Sequence, residues 1–280
     1  MDASELGLLL PAPAPADDKY SRGTVGFVTG SEAYPGAALL SIAGAQATAV
    51  GFVRYVGPRR VADLLLVAAP EVVVSEDVAT AGPAQAWVLG SGVGFRTDAQ
   101  HANIKEALER YPVAVVDAGA LELIGETKLA PDAHLLLTPH RGELCRLLNR
   151  LNPGKIRHPE QLDQLDIAFQ ATAEAAELTG QTVLLKGSTT IIVAANGEHV
   201  LVGPNSPWLA TAGTGDVLAG VIGGIAAQNP EIAAKNWLDI ARLAVELHSA
   251  AAELAHEKGT VTASSVASAV SQAVSRRFSR

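Results

Sequence analysis

Short apolar stretches alternate along the chain with longer segments in which apolar residues recur every three or four positions. The short stretches are rich in β-branched residues and read TVGFVT, EVVVS, AWVLG, VAVVD and HLLLT, at 24–29, 71–75, 86–90, 113–117 and 134–138. The longer segments have helical spacing, most clearly over 158–179 and from Val217 onward. This alternation predicts an α/β fold with a mostly parallel central sheet and helices on both faces.

The stretch IIVAANGEHVLVG, residues 191–203, departs from this alternation. Two β-type runs are joined there by Asn196-Gly197, a pair typical of a tight hairpin with a primed turn. We therefore expect an antiparallel hairpin late in the chain. No linker, repeat or block of charge interrupts residues 19–280, so we expect a single domain there, after a flexible leader at 1–18.

Composition and charge narrow the function classes. The 280 residues are 48% hydrophobic and 18% charged, enough apolar material for a large core. A formal net charge of -8 argues against nucleic acid or an anionic membrane as the partner. The expected partner is a small molecule, and a local basic pocket can still bind a phosphate group.

The N-terminal stretch and the single cysteine bear on location. Residues 1–18 have neither the basic start of a signal peptide nor an apolar run long enough to cross a membrane. Cys145 is the one cysteine of the sequence, so an internal disulfide is excluded, and we expect a buried helical side chain there. Both observations favour the cytoplasm.

Candidate ligand contacts follow the predicted strands, because open parallel sheets bind ligands at the carboxyl ends of their strands. GSEAYPGAA after the first strand begins a helix near Ala37, and GSGVG after AWVL allows close approach of a ligand to Gly92. Asp117 ends VAVVD, where it serves either to cap the next helix or to contact a substrate.

Two further strand ends carry charged or hydroxyl groups. TPHRGEL contains His140 and Glu143. In a structural role, His140 is a solvated loop histidine and Glu143 is a carboxylate that complements the dipole of the next helix. The alternative is that each has a functional role. VLLKGSTT places Lys186 beside glycine and three hydroxyl residues, 188–190. That cluster suits a phosphate, with an exposed β-turn as the alternative.

The stretch TAGTGDVLAG, residues 211–220, combines two opposing features. Gly213 and Gly215 leave backbone amides uncovered just before an apolar helix, and such a turn attracts anions. Asp216 places a carboxylate in the same turn, where it repels them.

Taken together, these motifs resemble a known family. YPGAALL, GSGVG, DAGAL, TPH-x-GE, LLKG and LATAGTGDVLAG occur in the order and spacing of the ADP-dependent (S)-NAD(P)H-hydrate dehydratases, over residues 19–275. These are carbohydrate kinase-like enzymes of the ribokinase-like superfamily that repair damaged nicotinamide cofactors. The resemblance implies a ribokinase-like fold and a hydro-lyase that uses ADP and Mg²⁺. The substrate would be the S epimer of hydrated NADH or NADPH, and the products NAD(P)H, AMP and phosphate.

The resemblance also implies roles for individual residues. Asp216 would be the catalytic base, facing the hydroxyl of the acceptor, and the amides of 212–215 would form an anion hole. Glu143 would organise Mg²⁺ through water. The hydrated cofactor would contact Ala37, Gly92, His140 and Asp216, and the nucleotide would contact Lys186, Gly187, Ser188, Thr189, Thr190, Gly213 and Gly215.

Two positions depart from the family pattern: Ser91 and Arg141 stand where many relatives have proline. Both lie beside contact positions, and Arg141 either faces solvent or helps to bind the phosphates of the cofactor. The resemblance further implies a homotetramer and an NAD(P)H-hydrate epimerase on a separate chain.

Two alternative functions remain. A small-molecule kinase of the same fold, of the hydroxyethylthiazole or pyridoxal kinase type, would share Asp216 and its turn, but TPH and YPGAA favour the dehydratase. A regulator that binds nucleotide without turnover has no need of a base at Asp216.

Overall fold

The computed structural model describes residues 3–94 and 100–278, whose strands form a single nine-stranded sheet. The strands, in chain order, are β1 Thr24–Val28, β2 Phe52–Val56, β3 Val73–Ser75, β4 Ala86–Leu89, β5 Val113–Val116, β6 His134–Leu137, β7 Thr182–Leu185, β8 Thr190–Val193 and β9 His199–Val202. Their spatial order is β3-β2-β1-β4-β5-β6-β7-β8-β9.

The first seven strands are parallel to one another, and β8 and β9 are antiparallel to their neighbours. The predicted mostly parallel sheet with a late antiparallel hairpin is therefore confirmed. Strand β2 was not among the predicted strands. Its sequence, FVRYV, is interrupted by the charged Arg54. The guanidinium of Arg54 donates to the carbonyls of Ala81 and Pro83, and these distant contacts cannot be read from the local sequence.

The turn of the hairpin differs from the predicted primed turn. A two-residue primed turn centred on Asn196-Gly197 needs a positive φ at Asn196. Of these two residues, only Gly197 has a positive φ, +87°. Its amide donates to the Ala194 carbonyl at 2.9 Å. The Ala194 amide donates to the Glu198 carbonyl, so the connection is a longer loop with glycine in the left-handed region.

Helices cover both faces of the sheet, as predicted. One apolar cluster lies between the sheet and the helices α2, α3, α8, α10 and α11, and the other packs α5, α6 and α7 on the opposite face. Cys145 is buried in the second cluster on α6, as expected from the sequence. The helices are α1 Ala3–Gly7, α2 Gly36–Gln46, α3 Arg59–Ala68, α4 Val78–Ala81, α5 Gln100–Arg110, α6 Arg141–Leu151, α7 Leu165–Thr179, α8 Thr214–Gln228, α9 Pro230–Ala233, α10 Leu238–His256 and α11 Ala263–Phe278.

None of the helices in the described ranges is both long enough and apolar enough to cross a membrane.

Part of the N-terminal segment, for which the sequence predicts a flexible leader, packs against the core. Leu6, Leu9 and Leu10 are at most 2% exposed and belong to the first apolar cluster. The side-chain amide of Asn229 donates to the Leu9 carbonyl at 2.7 Å. The three leucines are therefore part of the core, which the neighbouring sequence, rich in Pro and Ala, does not indicate. Residues 11–21 are exposed.

Candidate active site

The turn before α8 has the features of an anion-binding site. Gly213 caps the helix with a φ of +90°, which glycine adopts without strain. Within the described part of the chain, the amides of Ala212, Gly213, Gly215 and Asp216 donate no hydrogen bond. Free amides at a helix N-terminus bind anions, so the turn has the backbone geometry that the predicted anion site requires.

Asp216 lies in the first turn of α8 in a charged and largely buried setting. Burial is the main reason that its pKa is raised to about 7, and the Asp117 carboxylate also raises it, while Lys186 acts in the opposite direction. A carboxyl group with a pKa near neutrality is suited to accept a proton and release it again.

Lys186 follows β7 and connects the acidic groups of the site. Its Nζ lies 2.7 Å from Asp117 Oδ1 and 3.9 Å from Glu143 Oε2. Burial alone would lower the pKa of Lys186, but the carboxylates of Asp117, Glu143 and Asp216 raise it above its ordinary value. A Cβ built on Gly215 would lie 3.7 Å from Nζ, so this cation lies against the anion turn.

The structure shows an arrangement of Asp117 that differs from the predicted helix cap and leaves the predicted substrate contact untested. Its side chain makes no capping bond to the 3₁₀ turn that follows, Ala118–Leu123. Instead the carboxylate, 2% exposed, accepts hydrogen bonds from Ser91, Thr138 and Lys186. Asp117 is therefore a buried anchor that ties together the ends of three strands.

His140 and Glu143 begin α6 as a reciprocal cap. Gly142 and Glu143 donate their amides to His140 Nδ1, and the His140 amide donates to Glu143 Oε2 at 2.8 Å. The imidazole side chain stays 55% exposed, with Nε2 3.3 Å from Glu143 Oε1. The capping role is thus present, and the exposed ring leaves room for a ligand contact. Arg141 pairs with Asp163.

The segment 186–190 is held by a residue that the sequence motifs missed. Asn205 donates its side-chain amide to the Gly187 carbonyl and to Thr190 Oγ1, both at 2.9 Å, and its backbone amide to the Ser188 carbonyl. Ser188 is exposed, whereas Thr190 is buried and engaged with Asn205. Asn205 stands 15 residues or more from its partners, so no local pattern signals the contact.

Ala37 and Gly92 lie side by side at the ends of β1 and β4. A Cβ built on Gly92 would lie 2.3 Å from the Cβ of Ala37, so only glycine permits this contact. The Ser31 hydroxyl donates to the Gly92 carbonyl at 2.8 Å and connects the two loops. The two predicted cofactor contacts are therefore neighbours.

A second group that the motifs missed is His248 on α10. Its side chain is 4% exposed, and burial lowers its pKa to about 4, so the ring is neutral. Its Nε2 is buried without a hydrogen-bond partner in the described structure.

A divalent cation fits this site only together with a nucleotide. In the described ranges, no three His, Cys, Asp or Glu side chains form a ready metal site. Glu143 is 12% exposed, and both of its oxygens are close to His140. Mg²⁺ commonly keeps several waters and uses one carboxylate plus substrate phosphates, which agrees with this donor set.

Comparison with known proteins identifies the family. Residues 25–274 match the family model described as NAD(P)H-hydrate dehydratase. The bifunctional NAD(P)H-hydrate repair enzyme Nnr of Corynebacterium glutamicum is 41% identical over 224 residues, 78% of this chain and 38% of that protein. Nnr of Mycobacterium tuberculosis is 38% identical over 229 residues, 81% of this chain and 45% of that protein. The chain thus spans less than half the length of these two relatives.

Solved structures show the same fold. The ADP/ATP-dependent NAD(P)H-hydrate dehydratase of Bacillus subtilis, co-crystallised with ATP/Mg²⁺, aligns with a TM-score of 0.81 over 99% of this chain and 97% of its own, at 24% identity. Hydroxyethylthiazole kinase of Pyrococcus horikoshii aligns less closely, with a TM-score of 0.61 over 98% and 92% of the chains, at 17% identity. The expected ribokinase-like architecture is confirmed. Because the family model covers nearly the whole chain and the relatives share over a third of their aligned residues with it, this protein belongs to the NAD(P)H-hydrate dehydratase family.

Proposed function

We propose that the protein dehydrates the S epimer of hydrated NADH and NADPH, with ADP as the phosphoryl donor, and so restores the reduced cofactor. The observation that carries this proposal is that free backbone amides, a lysine ammonium group and a carboxyl group lie together at one turn. Free amides at the start of α8 lie beside Lys186 Nζ, and Asp216, whose pKa is about 7, lies in the same turn. An anion site next to a base suits transfer of a phosphoryl group to a hydroxyl.

The chemistry proceeds in two stages. Asp216 takes the proton of the C6 hydroxyl, whose oxygen attacks the terminal phosphorus of ADP, and the bond to the departing AMP breaks. Phosphate then leaves C6 with the bonding electron pair, C5 releases its proton to solvent, and the electron pair of that C–H bond forms the ring double bond again. Phosphorylation matters because hydroxide is a poor leaving group and phosphate is a good one.

The nucleotide and the hydrated cofactor approach from different sides. Lys186 and the segment 187–190, with Gly213 and Gly215, would bind the nucleotide. Ala37, Gly92 and His140 would contact the hydrated cofactor at the ends of β1, β4 and β6. A cavity of about 400 Å³ beside Glu143, lined also by Ala118, Arg146 and Arg150, offers room for the rest of that dinucleotide.

Mg²⁺ would be held by the nucleotide phosphates and, through water, by Glu143. When bound, the cation would neutralise negative charge on the transferring phosphoryl group. The preference for ADP over ATP is part of this proposal. The relative from Bacillus subtilis is named as ADP/ATP-dependent.

Domain organisation, assembly and location extend the proposal. We propose that residues 19–280 form one domain, that the protein is a homotetramer, and that it works in the cytoplasm together with an NAD(P)H-hydrate epimerase activity. The relatives named bifunctional repair enzymes support a second repair activity as the functional partner.

The test is recovery of absorbance at the reduced-nicotinamide band. Purified protein is mixed with hydrated NADH and Mg²⁺, and with ADP or ATP in parallel. We expect recovery with release of AMP from ADP. A stable phosphorylated product would instead favour a small-molecule kinase, and no turnover by folded protein that binds AMP would contradict the dehydratase.

The matched variant is Asp216→Asn, which keeps the shape of the side chain and removes the base. We expect AMP and ADP binding to persist and turnover to fall by a factor of about 1,000 or more, the upper part of the range for losing a general base. An active Asn variant would refute the role of Asp216.

A further inference from the structure

The carboxylate of Asp117 accepts hydrogen bonds from donors at three different strand ends. Oδ1 accepts from Lys186 Nζ at 2.7 Å and from Thr138 Oγ1 at 3.0 Å, and Oδ2 accepts from Ser91 Oγ at 2.8 Å. Among the described residues, Ser91 is the one donor to Oδ2, so its hydroxyl fixes the orientation of the carboxylate together with the two donors to Oδ1. A buried carboxylate that loses a donor must rotate or keep an unsatisfied oxygen.

Ser91 is itself held rigidly in place. Its side chain is fully buried, and its carbonyl accepts the Gly30 amide at 2.7 Å. A Cβ on the preceding Gly90 would lie 2.1 Å from the Asp117 carbonyl oxygen, which shows how closely the two loops approach. The hydroxyl therefore has little freedom to follow a moving carboxylate.

Lys186 needs such an anchor because its four-carbon stem is flexible. Nζ is 2.7 Å from Asp117 Oδ1 and 3.9 Å from Glu143 Oε2, and a Cβ built on Gly215 would lie 3.7 Å from it. If the Asp117 carboxylate rotates, the nearer of the two anchors is weakened, and Nζ is no longer fixed beside Gly215.

We infer that Ser91 is a positioning residue: its hydroxyl orients Asp117, and Asp117 holds Lys186 where the nucleotide phosphate binds. The inference rests on the proposed function in one respect, that Lys186 binds nucleotide. It adds a residue to which the family resemblance gives no role.

The test is a double-mutant cycle on AMP affinity, measured by calorimetry with the full chain. Ser91→Ala removes the hydroxyl and keeps the backbone bond to Gly30. We expect AMP affinity to fall about tenfold, the scale of one hydrogen bond to a charged group. In the Lys186→Met background, the same substitution should change affinity less than twofold, because the anchored group is gone.

A control separates positioning from general loss of packing. Thr172 on α7 is also fully buried, and its hydroxyl donates to the Ala168 carbonyl at 2.7 Å, within its own helix. Thr172→Val should lower the Tm without changing AMP affinity. If Ser91→Ala does not fold, Ser91→Cys, a weaker donor of similar shape, should give an intermediate loss of two- to fivefold.

Each outcome is decisive. Unchanged affinity in Ser91→Ala, or an equal loss with and without Lys186, would overturn the positioning role. Wild-type protein that binds AMP but does not regenerate NADH would overturn the proposed dehydratase alone. Wild-type protein that does not bind AMP would overturn both.

Discussion

At the scale of the residue, Asp216 combines two demands that conflict electrostatically. As the proposed catalytic base, it must lie close to the proposed phosphate site, and it must carry a negative charge before it accepts a proton. The structure reconciles them by burial, which raises the pKa to about 7, and by Lys186, which offsets part of the repulsion. The carboxyl group can therefore change its protonation state near neutral pH.

This burial predicts a stability effect that depends on pH. The pKa of Asp216 rises from 3.8 to about 7 on folding, so between these values the folded chain holds a proton that the unfolded chain has released. The free energy of unfolding therefore falls as pH rises from about 4 to 7, and the penalty persists above pH 7. Asp216→Asn avoids this penalty, and we expect its Tm at pH 8 to exceed that of the wild type by roughly 2–4 °C for each kcal/mol of the penalty. Scanning calorimetry at pH 5 should find a clearly smaller difference, because only part of the penalty has developed there, and a difference of equal size at both pH values would contradict the raised pKa.

At the scale of the element, the site is built from the ends of strands, and this explains what the sequence could and could not predict. Glycine turns and charged residues after apolar runs are local patterns, so Gly92, Lys186 and Asp216 could be identified. Asn205 and Ser91 act through side-chain bonds to residues 15 or more positions away, which no local spacing encodes. The prediction of a primed hairpin turn failed for a related reason, since the Asn-Gly pair also fits a longer loop.

The cap of α6 allows the two roles of His140 to be separated. Serine is a favourable N-cap residue, whereas alanine is not. His140→Ser should keep the wild-type Tm, and His140→Ala should lose about 1 kcal/mol of stability. If the ring contacts the hydrated cofactor, both variants should raise the KM for that substrate about tenfold, the scale of one lost hydrogen bond to a charged group. Steady-state kinetics and thermal melts check both expectations, and a serine variant with an unchanged KM would restrict His140 to capping.

The segment 187–190 gives a second prediction for a single element. Asn205→Ala removes the bonds to the Gly187 carbonyl and to Thr190 Oγ1. In this variant the segment becomes ordered only when nucleotide binds, and the cost of ordering it reduces the binding free energy. We expect the Kd for AMP to rise about tenfold, the scale of one to two net hydrogen bonds, with a smaller change in kcat. Asn196→Ala, in the exposed hairpin loop, is the matched control and should leave the Kd unchanged. Equal Kd values for the two variants would show that Asn205 does not organise the segment.

At the scale of the whole molecule, one helix pair sets the distance between the two halves of the site. Helix α2 carries Ala37 near its start, and α8 carries Asp216. A Cβ built on Gly220 of α8 would lie 1.7 Å from the Ser41 carbonyl oxygen of α2, so the two helices approach as closely as their backbones allow. The spacing between the proposed cofactor contacts and the proposed base is therefore fixed by packing in the core rather than by the loops alone.

The same core binds the N-terminal segment, and two adjacent leucines allow its contribution to be measured. Leu9 is 1% exposed, whereas Leu8 is 75% exposed. Leu9→Ala should lower the free energy of unfolding by about 2–4 kcal/mol because a buried side chain leaves a cavity, and Leu8→Ala should change it by less than about 0.5 kcal/mol. Chemical denaturation checks the difference, and both variants should keep the wild-type kcat because the segment lies away from Asp216. Equal stabilities would mean that the segment does not remain docked in solution and behaves as the flexible leader that its composition predicts.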